Sequence, residues 1–307
     1  MNSPEDRKEF ISGFVGVVGF PNVGKSTLVN QLVGQKVSIV SHRPQTTRNR
    51  IRGILNTEDT QVIFVDTPGI QRPRDQLERH MIEGARGTMS DVDLIMFVVD
   101  GSRERPGKGD KNCARLVEES PVPAILVVNK MDLVPAEDRQ DRLETYGGLG
   151  DFESVVAASA LHGHNADILM AEILQRLPRG GPRYFPGDMA TDQPMSFLVA
   201  ELIREKVLEL VREEVPYSTA IQIRQVEERG EDQFYIAADI IVERRSQKGI
   251  LIGKGGSMIK AIGQRSRRDV EELLEIEIYL DLHVRVQDKW RDNTAILKDL
   301  GLRQDQH

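Results

Sequence analysis

The sequence predicts an α/β protein in which a doubly wound domain is followed by a smaller α+β domain. Apolar runs that suit buried strands alternate with helical patterns over residues 14–177, and a glycine-rich phosphate-binding pattern follows the first run. In the second region, residues 276–286 alternate strictly between apolar and polar side chains, as a half-buried strand does. We therefore expect a first domain at 1–178, a linker at 179–195, a second domain at 196–290 and a tail at 291–307.

The individual elements follow from periodicity and from turn residues at their ends. In the first domain the predicted strands are 14–18, 52–56, 61–65, 93–99, 124–128 and 153–157, and the predicted helices are 26–33, 74–90 and 165–177. In the second domain the predicted helix 197–212 precedes a strand pair at 220–226 and 234–242, which a polar turn at 228–231 joins. Residues 178–194 are rich in Pro and Gly, which is typical of a linker, although Tyr184 and Phe185 suggest partial packing.

The composition indicates a soluble globular protein. Of the 307 residues 39% are hydrophobic and 29% charged, which is enough for two cores. The net charge of −7 gives no overall sign of nucleic-acid binding, so such a role would need a local basic patch. The single cysteine, Cys113, excludes a disulfide framework, and neither a signal peptide nor an apolar run of membrane-spanning length is present. We expect a cytoplasmic monomer without a covalent lipid.

The stretch on which the first domain depends is the phosphate-binding pattern G-x-x-x-x-G-K-[ST]. It comprises Gly19, Phe20, Pro21, Asn22, Val23, Gly24, Lys25 and Ser26. The two outer glycines allow the backbone to approach phosphates, Lys25 can reach the β- and γ-phosphates, and the Ser26 hydroxyl can ligate Mg²⁺. Thr27 opens the helix whose positive dipole end faces the same ligand. We expect all of these residues to contact a nucleotide.

Two later segments have the composition of nucleotide-sensing switches. In the polar stretch 41–50, one threonine could complete the Mg²⁺ shell, and we favour Thr47 over Thr46; an ordinary solvated loop is the alternative. The second segment is Asp66-Thr67-Pro68-Gly69 at the end of a strand. There Asp66 is expected to support the Mg²⁺ shell and Gly69 to turn its amide toward a γ-phosphate, although the same composition also occurs in simple turns.

The tetrapeptide Asn129-Lys130-Met131-Asp132 predicts that the base is guanine. The Asp132 carboxylate can accept hydrogen bonds from N1–H and from the exocyclic amine of guanine, which adenine does not offer. We expect Asn129 to join this loop to the phosphate loop and the stem of Lys130 to stack on the base. In the segment Ser159-Ala160-Leu161, the Ala160 amide is placed to donate to guanine O6. The expected ligands are therefore GTP and GDP with Mg²⁺.

Hydrolysis of GTP is expected to be slow. Ile70 stands where many GTPases carry a glutamine that orients the attacking water, and an isoleucine cannot hydrogen-bond to water. The predicted catalytic groups are Lys25, Thr47 and Gly69. Backbone groups, a bound cation or a partner would then have to place the water.

The second domain contains a Gly-x-x-Gly loop between two predicted helices, in the order α-β-β-α-α-β of a type II KH module. Its members are Gly253, Lys254, Gly255 and Gly256, and the predicted phosphate contacts beside it are Lys248, Lys260, Arg265 and Arg268. This basic density predicts binding of single-stranded RNA. A plain helix–turn–helix loop with a solvated charged face is the alternative.

Taken in order, these motifs resemble the Era family of bacterial GTPases with a C-terminal KH domain, over residues 12–290. They include Gln45-Thr46-Thr47-Arg48 and Asp66 to Ile70. The resemblance implies a protein that binds the 3′ end of small-subunit rRNA when GTP is loaded and assists 30S ribosomal subunit assembly. It also implies a cytoplasmic location with peripheral association to the inner membrane.

Two positions of the phosphate loop bear on this resemblance. Phe20 stands where family members usually have arginine, and we expect little effect because only the backbone of this position faces phosphate. Asn22 corresponds to an asparagine that helps to hold a monovalent cation in related GTPases, so we hypothesise stimulation by K⁺.

Three other functions are alternatives to an RNA-binding GTPase. An ATPase with the same phosphate loop is disfavoured by Asn129 to Asp132. An RNA chaperone with a purely structural nucleotide site would not depend on Lys25. A membrane-associated cell-cycle regulatory GTPase would have to use the basic KH face on anionic lipid, since no lipid anchor is apparent.

Overall fold

The structure, a computed structural model, describes residues 9–41, 43, 46–230 and 233–302. The chain forms two compact units. The first consists of Met1–Ser38, Thr47–Arg72 and Met81–Asp192, and the second of Ile39–Thr46, Pro73–His80 and Gln193–His307. Gln45 of the first switch motif, Glu231 of the predicted turn and the end of the predicted tail lie outside the described residues.

The first unit is built on a six-stranded sheet with the strand order β2-β3-β1-β4-β5-β6. Its strands are β1 (Ile11–Val18), β2 (Ile51–Asn56), β3 (Thr60–Asp66), β4 (Leu94–Asp100), β5 (Ala124–Asn129) and β6 (Ser154–Ala157). The edge strand β2 pairs antiparallel with β3, and the other pairs are parallel. This confirms the predicted doubly wound class, in which ligands bind at the carboxyl ends of the parallel strands.

Helices cover both faces of this sheet. They are α1 (Lys25–Val33), α2 (Gln76–Thr88), α3 (Lys108–Glu118), α4 (Arg139–Gly147) and α5 (Ala166–Arg176). Side chains of β1, β4 and β5 contribute to two apolar clusters, one shared with α1 and α5 and the other with α3 and α4. The side chains of these strands are mostly apolar because both of their faces are buried.

The sequence patterns did not single out α3 and α4. The buried residues of α3 are Asp110, Cys113, Ala114 and Val117, and those of α4 are only Arg142 and Tyr146. The buried positions of α3 do recur at helical spacing, but one is an aspartate and the others are small or medium-sized, and α4 has only two buried side chains, so neither helix shows a stripe of large apolar residues.

The predicted linker packs against the first sheet. The side chain of Gln61 on β3 donates to the Phe185 carbonyl at 2.9 Å and accepts from the amides of Tyr184 and Phe185. The Ile54 amide of β2 donates to the Ala190 carbonyl at 2.7 Å. The partial packing that the aromatic pair suggested is therefore present, and it extends through most of the segment.

The second unit contains a three-stranded sheet with the order β7-β8-β9. Its elements follow the order α6 (Met195–Leu210), β7 (Ala220–Gly230), β8 (Gln233–Val242), α7 (Arg245–Ile252), α8 (Ser257–Leu274), β9 (Glu277–Val286) and α9 (Thr294–Asp299). Strand β8 pairs antiparallel with β7 and parallel with β9. An apolar cluster is shared by α6, α8 and the sheet. The predicted α-β-β-α-α-β order is confirmed.

The extent of strand β7 differs from the sequence expectation. Strand β7 runs through Gly230, so residues 228–230 are part of the strand rather than of the predicted turn. The register of β7 against β8 shifts at two places, which lets a long strand with many polar residues continue pairing.

After β9, the Trp290 side chain is buried and its Nε1 donates to the Ser218 carbonyl at 2.9 Å. Among the described helices, none is long and apolar enough to cross a membrane.

Candidate functional site

The phosphate-binding loop lies between β1 and α1, at the carboxyl end of the central strand. Gly24 has φ 99°, and a Cβ there would lie 2.3 Å from Nδ2 of Asn129, so both the torsion and the space require glycine. The buried Lys25 Nζ donates to the carbonyls of Gly19 at 3.3 Å and Phe20 at 3.2 Å. Burial lowers the pKa of Lys25 although the charge of Asp66 opposes this change. An anionic ligand would stabilise the charged amine, which fits a phosphate site.

Three oxygen-bearing side chains predicted to face Mg²⁺ come together beside this loop. Ser26 Oγ lies 2.8 Å from Thr47 Oγ1 and donates to Asp66 Oδ2 at 2.7 Å, and Thr47 Oγ1 donates to the same oxygen at 3.3 Å. Thr46 does not join them, because its hydroxyl donates to the Arg43 carbonyl at 2.7 Å. Of the two threonines, Thr47 is the one beside Ser26 and Asp66, and its role as a magnesium ligand stays a prediction.

The donor set suits a hard cation. Among the residues that the structure describes, Oδ1 of the buried Asp66 has no hydrogen-bond partner, and burial raises the pKa of this carboxyl. A buried carboxylate with a free oxygen next to two hydroxyls is compensated well by Mg²⁺, which prefers oxygen ligands and retains several waters. The described part of the chain has no group of three or more His, Cys, Asp or Glu side chains that could hold a metal in another way.

The Asp66 to Ile70 motif lies directly on the phosphate loop. A Cβ on Gly69 would approach the backbone nitrogen of Pro21 to 2.7 Å, so any side chain here would push the two loops apart. The Ile70 amide donates to the Gly19 carbonyl at 3.1 Å. The Ile70 side chain is buried in the apolar cluster shared with α3. It therefore belongs to the core and offers no group to an attacking water.

The guanine-reading motif is joined to the phosphate loop by Asn129. Its Nδ2 donates to the Val23 carbonyl at 2.8 Å, and its Oδ1 accepts from the Ala160 amide at 2.9 Å. Asn129 is buried, so these bonds are shielded from water. One side chain therefore fixes the relative positions of the three loops that a guanine nucleotide would touch.

Asp100 is a site residue that sequence reasoning missed. Lys130 Nζ donates to Asp100 Oδ2 at 2.7 Å and to the Asn22 carbonyl at 2.8 Å, which orients the lysine of the reading motif. Burial opposes ionisation of Asp100, but hydrogen bonds from Lys130 and Ser102 outweigh burial and lower its pKa below 3.8. Its position at the carboxyl end of β4, like that of Asp66 on β3, was a signal that could have identified it.

A cavity of about 290 Å³ lies between residues of the 27–35 stretch and the turn that follows β6. Thr27 on α1 and the Ala160–Leu161 turn line it. Ser159 is buried, and its amide and carbonyl both hydrogen-bond to His164. Asp132 lies near this turn, since His162 Nε2 is 3.8 Å from Asp132 Oδ2. The structure therefore brings together the predicted residues of both base-reading segments.

In the second unit, the Gly-x-x-Gly loop lies between α7 and α8 and forms a 3₁₀ turn over Lys254–Gly256. The side chains of Lys254, Lys260 and Arg265 are exposed and have no carboxylate partner within the described residues. Arg268 is also exposed, with Nη2 3.5 Å from Asp269 Oδ1. The half-buried Lys248 lies on α7. Cations without partners beside an exposed glycine loop are suited to contact a phosphate backbone.

Comparison with known proteins matches family models to two separate parts of the chain. A model of the 50S ribosome-binding GTPase family matches residues 14–130, and a KH domain model matches residues 214–291. GTPase Era from Clostridium botulinum (strain Okra / Type B1) is 46% identical over 292 residues, which is 95% of this chain and 98% of that protein. GTPase Era from Lacticaseibacillus paracasei is 47% identical over 293 residues, with 95% of this chain and 97% of that protein covered.

Two solved structures resemble the whole fold. One is Era in complex with MgGDPNP and nucleotides 1506–1542 of 16S ribosomal RNA, and the other is an Aquifex aeolicus Era variant bound to GDP·AlF₄⁻. Each has a TM-score of 0.92 and 38% sequence identity, and each alignment covers 96% of this chain and 100% of that chain. The nucleotide cradle, the guanine-reading loops and the KH unit thus occur together in one related fold, and the chain belongs to the Era family of GTPases.

Proposed function

We propose that this GTPase binds single-stranded rRNA at the 3′ end of the small-subunit rRNA and assists 30S ribosomal subunit assembly. One observation carries the proposal: the exposed basic glycine loop at 253–256 belongs to a chain whose fold matches, at a TM-score of 0.92, an Era bound to a 16S rRNA segment. The KH module contacts RNA through the backbone of such a loop, which approaches about four nucleotides.

The reaction is GTP + water → GDP + phosphate. Lys25 binds the β- and γ-phosphates and, with bound Mg²⁺, offsets the negative charge that develops on the phosphate oxygens. Gly69 and Thr47 are proposed to hold the γ-phosphate end of the site, since their segments lie against the phosphate loop and against Ser26. With Ile70 buried, intrinsic turnover is slow, on the order of 10⁻⁴ s⁻¹ without an activator.

Slow hydrolysis suits a timer that controls RNA binding. A γ-phosphate orders the Thr47 and Gly69 segments, and its loss releases them. We propose that the GTP-bound state holds RNA more tightly than the GDP-bound state. This direction agrees with the complex of the related Era, which contains both MgGDPNP and RNA.

A monovalent cation is proposed to replace the missing glutamine. Asn22 has a positive φ of 66°, and its carbonyl accepts from Lys130, so its backbone is fixed within the phosphate loop. K⁺ at this position would add positive charge beside the phosphates where Ile70 offers nothing. The proposal is therefore a K⁺-stimulated GTPase.

We propose a cytoplasmic monomer. Cys113 is a free, buried thiol, which is suited to a reducing compartment. Peripheral contact with the inner membrane would use the basic face of the KH unit, as the family resemblance implies. Nothing in the described structure favours the alternative of a membrane-associated cell-cycle GTPase.

Crosslinking of the purified protein to cellular RNA, followed by sequencing, tests this function. The protein is loaded with GDPNP or with GDP, and a Lys254→Glu, Lys260→Glu variant serves as the RNA-binding control. We expect reads concentrated at the 3′ end of the small-subunit rRNA, enriched with GDPNP and lost in the control variant. Reads spread evenly over rRNA and mRNA in both nucleotide states would contradict the proposal.

A further inference from the structure

Helix α6 carries three consecutive charged side chains that are all buried. Arg204, Glu205 and Lys206 have only 2%, 3% and 6% of their surface exposed. Buried charges are costly unless they are paired or hydrogen-bonded, so each must have a specific partner. For Lys206 the partners are Asp269, Glu209 and the neighbouring Glu205. The partners of the other two include backbone groups of residues 39–46.

Arg204 and Glu205 hold this segment at both ends. Glu205 Oε1 accepts a hydrogen bond from the Val40 amide at 2.9 Å. Arg204 Nη2 donates to the Thr46 carbonyl, and Glu201 fixes the guanidinium through a second bond from Nε at 2.8 Å. The side chain of Ile39, 3% exposed, belongs to the apolar cluster of the same unit. The segment is therefore an integral part of the second unit.

The residue after this segment is Thr47, whose hydroxyl meets Ser26 and Asp66. Arg204 thus fixes a carbonyl one residue before a side chain that is proposed to face Mg²⁺. Movement of Thr47 by more than the length of a hydrogen bond would strain or break the bond from Arg204, because the two anchored residues are consecutive in the chain.

A second sensing segment is held by the same unit. It comprises residues 73–80, shortly after the Asp66 to Ile70 motif. Arg291 Nη1 pairs with Asp75 at 3.1 Å, while its Nη2 pairs with Glu243 at 2.8 Å. The Gln76 amide donates to Asp292 Oδ1 at 3.2 Å. Both segments that would respond to a γ-phosphate therefore have specific polar anchors in the second unit.

We infer that Arg204 is a positioning residue that couples the placement of Thr47 to the RNA affinity of the KH unit, with the Arg291–Asp75 pair as a second coupling contact. The inference rests on the proposed function, and it names the contacts through which the nucleotide acts. A ligand shifts a conformational equilibrium only through contacts that differ between the two states. By linkage, RNA must then change the affinity for GDPNP by the same factor by which GDPNP changes the affinity for RNA.

The test uses the full chain with Arg204→Met, which keeps most of the aliphatic stem and removes the donor. The matched control is Arg224→Met, because Arg224 on β7 also forms an ion pair, with Asp239 at 2.8 Å, and has no hydrogen bond or ion pair with the described residues of either segment. The readout is the ratio of dissociation constants for a single-stranded oligonucleotide with the 3′-terminal small-subunit rRNA sequence, measured with GDP and with GDPNP bound. Affinities for GDPNP and for GDP, each with and without RNA, are measured in parallel.

We expect a ratio of about 5 or more in the wild type and in Arg224→Met, within the usual range of allosteric coupling, and a ratio below about 2 in Arg204→Met. The reciprocal effect of RNA, which is the change in the ratio of the GDP and GDPNP dissociation constants, should fall by the same factor. Asp75→Asn, which weakens the second contact, should also lower the ratio and provides the test if circular dichroism shows that Arg204→Met does not fold.

Two results would overturn the inference, and they are distinguishable. A wild-type ratio of one would refute nucleotide control itself and the proposed function with it. A wild-type ratio above about 5 that persists within twofold in folded Arg204→Met and in Asp75→Asn would leave the proposed function intact but would show that coupling runs through other contacts.

Discussion

Replacing Asn129 by alanine should separate the phosphate loop from the base-reading loops. The substitution removes the bond to the Val23 carbonyl at 2.8 Å and the bond from the Ala160 amide at 2.9 Å, and both lost partners are buried. Each buried group left without a partner costs about 1–3 kcal/mol, so the sum is about 2–6 kcal/mol. Water entering the space beside Gly24 would offset part of this, which leaves about 2–4 kcal/mol.

Most of this free energy should appear as lost nucleotide affinity, because GDP must contact both loops at once. A loss of about 2–4 kcal/mol corresponds to GDP binding weakened by about 30-fold to 700-fold. The assay is titration with a fluorescent GDP analogue in excess Mg²⁺, together with urea unfolding without nucleotide.

A matched control is Asn56→Ala on the edge strand β2. The Asn56 side chain donates to the Met189 carbonyl at 2.8 Å and accepts from Gln61 at 2.6 Å and from Arg183 at 3.2 Å, but Asn56 is not among the predicted nucleotide contacts. The Asn56→Ala variant should be less stable than the wild type and should keep the wild-type affinity for GDP. If Asn129→Ala lost as much stability as Asn56→Ala while its GDP affinity stayed within threefold of wild type, the linking role of Asn129 would be refuted.

Three further predictions concern the same site. Asp132→Asn should weaken GDP binding by about 100-fold or more and favour xanthosine diphosphate, because the new amide can donate to the C2 carbonyl of xanthine. Equal affinities of the variant for GDP and xanthosine diphosphate would contradict this role of Asp132. Lys130→Met should reduce the acid dependence of stability. The stabilising contribution of ionised Asp100 is present above its ordinary pKa of 3.8 and is lost as the pH falls through its lower folded pKa. Urea midpoints measured from about pH 7 to pH 3 should therefore change less in the variant than in the wild type, and identical pH profiles would count against the Lys130–Asp100 pair. GTP turnover should be several-fold faster in K⁺ than in Na⁺ at equal ionic strength, and equal rates would remove the proposed role of Asn22.

The nucleotide motifs could be predicted from the sequence because their chemistry fixes residue types at short spacing. Gly19 to Ser26 has to wrap phosphates with its backbone, and few other sequences allow this geometry. Once that loop was placed, the positions of Asp66 and Asn129 at strand ends followed from the doubly wound topology. Thr47 could be favoured over Thr46 but not decided, since both have the same chemistry and only the folded loop shows that Thr46 bonds to Arg43.

Other features depend on contacts between residues distant in sequence. Two such contacts are the hydrogen bond from the Val40 amide to Glu205 and the ion pair of Asp75 with Arg291. Each joins positions more than a hundred residues apart in the sequence, and no local sequence pattern predicts either of them. Helix α4 has an exposed, polar sequence with Tyr146 as its buried aromatic residue, so its apolar periodicity is too weak to detect. In β7, the register shifts that let the strand continue to Gly230 are set by pairing with β8 rather than by its own residues.

The most direct measurement is the affinity of the wild-type chain for an unstructured RNA oligonucleotide with the 3′-terminal small-subunit rRNA sequence, in the GDPNP-bound and GDP-bound states at fixed salt. We predict binding at least about fivefold tighter with GDPNP, as expected for coupling of about 1 kcal/mol or more between the nucleotide and RNA sites. Identical affinities in the two states would contradict the claim that the guanine nucleotide controls RNA binding.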